Sequence, residues 1–108
     1  MRGVLVKEWT EFESLTLEEC PAPELQAGQV RIRTQAAGVS FATSLVVSGK
    51  YQRKPPLPFV PGTEISGIVT ETADSVTRVK PGDRVCAVLD WGGLAEEAVA
   101  HEVNVFPI

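Results

Sequence analysis

Only two cysteines occur in the chain, Cys20 and Cys86, too few for a disulfide-dense secreted scaffold. As separate thiols they point to a reducing, cytoplasmic setting. There is one histidine, His101, and no short Cys or His spacing of the kind that builds zinc sites, so no metal centre is expected. No apolar run approaches the ~18 residues of a membrane span, and Met1 to Phe12 is interrupted by Arg2, Lys7, Glu8 and Glu11, which leaves no signal-peptide stretch. Neither a membrane nor a leader enters the reading. Positive charge is also scarce, because 10 Lys and Arg stand against 14 Asp and Glu for a net charge of −4, the wrong sign for nucleic acid. Absent, too, is any G-x-G-x-x-G or G-x-x-x-x-G-K phosphate loop, so this stretch cannot cradle a dinucleotide in the usual way.

What is present fits one globular domain spanning residues 1–108, with 44% hydrophobic and 22% charged residues. At this size roughly two thirds of the unfolded surface can be buried, enough for a core without staples. Arg2 to Trp9 and Glu13 to Glu18 read as two strands of a hairpin. Val30-Arg31-Ile32-Arg33 alternates as a strand with one wet face. Ser40 is an N-cap type, followed by Phe41, Leu45 and Ser48 at helical spacing until Gly49 stops the run. Pro55, Pro56, Pro58 and Pro61 make the stretch from Gly49 to Gly62 a stiff extended loop. Strand patterning resumes at Glu64 to Ala73, where Gly67 marks a bulge or a close backbone approach. Lys80-Pro81-Gly82-Asp83 is a turn leading to the strand Val85 to Leu89, and Trp91-Gly92-Gly93 another before strands at Leu94 to Ala100 and Val103 to Phe106. Many short strands between Gly and Pro turns, with one helix, describe a mainly β barrel or sandwich.

Several constellations suggest chemistry and have plainer explanations. Gly38-Val39-Ser40-Phe41-Ala42 approaches the nucleophile elbow of hydrolases, yet the last small residue is Ala, the chain is too short for that fold, and His101 would have to serve as base. A helix cap accounts for Ser40. Lys54-Pro55-Pro56-Leu57-Pro58 has the composition of a polyproline ligand, but a rigid loop explains the same prolines. His101 reads as a surface strand residue, and Cys20 and Cys86 as core fillers.

One ordered series is far more specific: Gly38-Val39-Ser40-Phe41, Gly49-Lys50-Tyr51, Pro55-Pro56-Leu57-Pro58-Phe59-Val60-Pro61-Gly62-Thr63-Glu64 with Ser66-Gly67, Lys80-Pro81-Gly82-Asp83-Arg84-Val85, and Gly92-Gly93-Leu94-Ala95-Glu96. It closely resembles the N-terminal GroES-like domain of the medium-chain dehydrogenase/reductase superfamily, in its quinone oxidoreductase branch, over nearly the whole chain. The resemblance implies a GroES-like, partly open β-barrel with one or two short helices. It also implies an oxidoreductase that uses NADPH to reduce quinones or enones. Zinc-dependent members place Cys where Ser40 stands and His where Thr63 stands. Hydroxyls are weak zinc donors, so the likeness points to the zinc-independent reductases, with Glu64 as a buried acceptor for backbone N–H groups.

Carried over by position, Tyr51 is the expected catalytic donor to the substrate carbonyl, or else a loop anchor beneath the prolines. Ser40, Phe41, Thr63 and Trp91 are expected at the substrate, with Ser40 and Thr43 towards the cofactor. Quinone reductases commonly carry Asn at the Ser40 position and Asp at the Thr43 position. Members of the superfamily also continue into a Rossmann domain. The chain is therefore expected to be the substrate-side part of a longer reductase, inactive without that partner domain and able to form a homodimer. Phe41, Phe59 and Trp91 are expected as exposed apolar residues of the cleft. The competing expectation is a free-standing GroES-like interaction or co-chaperonin-type module without catalysis.

Overall fold

The alternation at Val30 to Arg33 builds the central strand. In β3 (Gln29–Ala37) Val30 and Ile32 are fully buried, while Arg31 and Arg33 point to the other face. The computed structural model describes residues 1–108. Its strands are β1 (Arg2–Val4), β2 (Leu17–Glu19), β3, β4 (Glu64–Thr72), β5 (Arg84–Val88), β6 (Glu97–His101) and β7 (Val105–Pro107), with one α-helix, α1 (Phe41–Ser48). An antiparallel sheet runs in the order β6-β3-β4-β5-β7, and β1 pairs with β2. The segment after Gly93 joins the two: Val4 N–H donates to Leu94 O at 2.8 Å, and Thr34 N–H to Glu96 O at 2.9 Å. The result is a curled half-barrel, as expected.

Two features bend and lock the sheet. The β3/β4 register slips between Arg31 and Ile32 and again between Thr34 and Ala36, which leaves Gln35 as an extra residue opposite Gly67 and Ser66. Gly67 is also a point of close approach, since a Cβ there would lie 2.1 Å from Arg33 O. Across β3 and its neighbours, Arg31 bonds Glu71 of β4 and Glu97 of β6, each at 3.1 Å. The inner face carries a core of 11 buried residues that includes Val30, Ile32, Ile65, Val69 and Val85.

A separate cluster of Val6, Val47 and Phe59 lies under α1, where Val6 and Phe59 exchange backbone hydrogen bonds of 2.8 and 3.0 Å. This corrects two expectations. The helix buries Thr43 and Val47, with Val46 beside them, so the helical spacing of Phe41, Leu45 and Ser48 does not mark its inward face, and Phe41 is exposed as expected. Phe59 is buried rather than exposed, because its ring tilts against Trp9 at 6.0 Å and its backbone is locked to Val6. Smaller differences concern borders. Phe12–Ser14 and Glu102–Asn104 are 3-10 turns, which shortens the strands expected at Glu13 to Glu18 and Val103 to Phe106. Cys20 is buried as expected, Cys86 is half-buried on β5, and both are free thiols.

Candidate functional site

Ser40 caps α1 with extended backbone angles, φ −118° and ψ 168°. Thr43 N–H donates to Ser40 Oγ at 3.4 Å, Ser40 N–H donates to Thr43 Oγ1 at 3.3 Å, and the hydroxyls stand 3.3 Å apart. This reciprocal cap satisfies two orphan amides and fixes Ser40 at the surface. Thr43, expected towards the cofactor, is only 3% exposed, so its hydroxyl orients Ser40 from beneath. Phe41 stands beside Ser40 and is 80% exposed. At the other end of α1, Gly49 takes a left-handed φ of 76° and turns the chain into the proline loop.

Backbone pairing brings three segments to one end of the sheet. Gly38 N–H donates to Glu64 O at 3.0 Å, Leu89 N–H to Thr63 O at 2.8 Å, and Gly93 N–H to Gly62 O at 3.0 Å. Ser40 and Phe41 follow the first segment, Thr63 belongs to the second, and Trp91, 39% exposed, belongs to the third. Gly62 permits this crowding, since its φ is +108° and a Cβ would meet Gly93 Cα at 3.0 Å.

Glu64 departs from the expectation of a buried acceptor. Its side chain is exposed, and its carboxylate lies over Gly38, where a Cβ would fall 2.2 Å from Oε1. The glutamate's structural hydrogen bond at this point is made by its backbone carbonyl.

Tyr51 is half-buried and lies past the far end of α1, a helix about 12 Å long for its eight residues. Its loop returns towards Trp91 through an ion pair of Arg53 with Asp90. The sequence offered no signal for that clasp, because the partners lie 37 residues apart. Trp91 and Asp90 line a cleft of about 800 Å³ together with Pro58, Phe59, Val60 and Leu89. A second crevice of about 400 Å³ runs between β1 and the end of β3, past Val4, Ala36 and Leu94. Of the expected site residues only Trp91 lines either cleft. Ser40, Phe41 and Thr63 are exposed and Tyr51 is half-buried, and all four lie outside both. An open surface holds a small flat molecule only when a second surface closes over it.

At the positions that the resemblance compares with zinc ligands, this chain has the hydroxyls of Ser40 and Thr63 and the carboxylate of Glu64. No group of three or more His, Cys, Asp or Glu side chains converges anywhere. That donor set does not fit zinc, which takes thiolate and imidazole ligands. His101 ends β6, where its Nδ1 accepts from Val103 N–H at 3.2 Å, and it takes no part in this end of the sheet.

A curled half-barrel of antiparallel strands with one short helix has the architecture of a GroES-like domain. Residues 26–108 match the alcohol dehydrogenase GroES-like domain, and the chain belongs to that family. It is 38% identical over 96 residues to quinone oxidoreductase-like protein 2 of Rattus norvegicus, covering 89% of this chain and 27% of that protein. Against the quinone oxidoreductase of Mus musculus it is 38% identical over 110 residues, covering 100% of this chain and 33% of that protein. Among solved structures, the quinone oxidoreductase of Thermus thermophilus, also solved with NADPH, superposes with a TM-score of 0.81 at 30% identity, over 100% of this chain and 32% of that one. The chain thus spans about a quarter to a third of the length of the proteins it matches.

Proposed function

We propose that this chain is the substrate-side domain of a zinc-independent, NAD(P)H-dependent quinone or enone oxidoreductase, active when joined to a Rossmann cofactor domain. The observation that carries the reading is the gathering of Ser40, Phe41, Thr63 and Trp91 at one open end of the sheet, in a chain whose relatives named quinone oxidoreductase are about three times as long. NADPH, when held by a joined cofactor domain, would supply the hydride. Ser40, locked by the Thr43 cap, offers a hydroxyl to the nicotinamide side of the site. Phe41 and Trp91 give apolar faces against which a flat ring stacks and from which water is displaced. Tyr51 donates its phenol proton in a hydrogen bond to the acceptor carbonyl, and Thr63 is a second hydroxyl at the Ser40 end of the site. Hydrogen-bond donors thereby do what a Lewis acid does elsewhere, with orientation supplying the rest of the acceleration.

The test has two parts. The native gene product, captured through this domain, should have a mass about three times the 11.6 kDa of the chain and reduce quinones with NADPH. In that enzyme Tyr51→Phe should lower kcat by roughly 10- to 100-fold with the fold intact. Unchanged kcat would leave Tyr51 as an anchor of the proline loop. A native mass equal to that of this chain would replace the reductase by a binding module.

A further inference from the structure

The chain's lysines divide into two kinds. Lys7 is held by Glu18 at 2.8 Å and Lys80 by Asp83 at 3.1 Å. Lys50 and Lys54, both exposed, have no carboxylate within 4.0 Å, and they flank Tyr51. Arg53 between them is neutralised by Asp90. The loop therefore carries two unpaired positive charges in a protein whose net charge is −4.

The backbone around them is tethered. Lys50 N–H donates to Leu45 O at 2.9 Å as part of the Gly49 cap, and Lys54 leads into Pro55, which is buried. The Arg53 to Asp90 clasp ties the same loop to the turn that carries Trp91. Two compact ammonium groups on such a loop form a ready counter-charge for an oxyanion, and an ammonium binds one as a point charge without demanding a particular approach.

We infer that the acceptor reduced at this site bears an anionic group, a carboxylate or comparable oxyanion on its ring or enone chain, held by Lys50 and Lys54 while its carbonyl lies at Tyr51. This rests on the proposed reading that Tyr51 faces the acceptor. The phosphates of a dinucleotide share the same chemistry, so the experiment separates the two sources.

The full-length enzyme is titrated with anthraquinone-2-sulfonate, with neutral 2-(hydroxymethyl)anthraquinone and with 2′,5′-ADP, while backbone amide shifts of this domain give each Kd. The sulfonate should bind roughly 3- to 30-fold tighter than the neutral ring, an advantage that shrinks as salt is raised. Shifts should centre on Lys50 to Lys54 and Trp91. The double variant Lys50→Gln, Lys54→Gln should abolish the advantage and leave neutral binding unchanged, and Lys50→Arg, Lys54→Arg should restore it. Equal affinity for the charged and neutral rings overturns the inference and leaves the reductase reading standing. Shifts at both lysines with 2′,5′-ADP but not with the sulfonate also overturn it, assigning the charge to the cofactor. If neither anthraquinone perturbs Tyr51 or Trp91, the reading of the site fails and the inference falls with it.

Discussion

Gly67 shows how one residue can carry the geometry of the whole barrel. Its missing side chain lets β3 close onto β4 where Gln35 is the extra residue, and a Cβ would meet Arg33 O at 2.1 Å and Ile32 Cγ2 at 2.9 Å. Backbone on one side and core on the other leave no flexible group to yield. Gly67→Ala should therefore cost about 3 kcal/mol, read as a lower urea midpoint at unchanged m. A loss below about 0.5 kcal/mol would show that the bulge relaxes freely. The glycine's importance was legible in the sequence, as a break in strand patterning, but the extra residue across from it was not. Glu64 and Phe59 show the same boundary. The resemblance marked both as notable, yet the exposure of the first and the burial of the second follow from partners elsewhere, Gly38 for Glu64 and Val6 with Trp9 for Phe59.

Elements were legible wherever period or turn chemistry is local. The alternation of β3, the Ser40 start and Gly49 stop of α1, and the Lys80 to Asp83 turn all stand where the residues place them. The inward face of α1 was not legible, since eight residues hold too few apolar positions to define a stripe and the Val6 and Phe59 segments choose Thr43 and Val47. The turn also makes a pH prediction. Lys80 N–H donates to Asp83 Oδ2 at 3.0 Å and Lys80 Nζ to Oδ1 at 3.1 Å, and these bonds hold the carboxyl below its usual 3.8, the backbone bond first. A carboxyl whose folded pKa lies below its unfolded value stabilises the fold above the unfolded value, and that contribution is lost as pH falls through the folded one. Asp83→Asn should lower Tm at neutral pH, and the gap to the parent should close as pH drops below 3.8. A gap constant down to the acid limit would show that the turn does not depend on this charge.

On the scale of the molecule, the half-barrel rests on two unequal cores. The larger, of 11 residues, holds β3 to β7 together, while the smaller, of Val6, Val47 and Phe59 with Phe12, Leu15 and Val46 packed against it, lies under α1 and the proline loop. Ser40, Phe41 and Tyr51 are thus mounted on the lesser core, and Thr63 and Trp91 on the edge of the greater. Unequal burial implies unequal opening, since segments with few buried contacts exchange their amides through local fluctuations. The two walls of the proposed site are then expected to open separately. Val47→Ala removes a fully buried side chain from the three-residue cluster and leaves the sheet untouched. Hydrogen exchange of the α1 amides should then quicken by roughly tenfold or more, while β3 and β4 amides keep the parent's rates. If both regions quicken together by the same factor, α1 unfolds only with the sheet, and the two walls of the site form one cooperative unit.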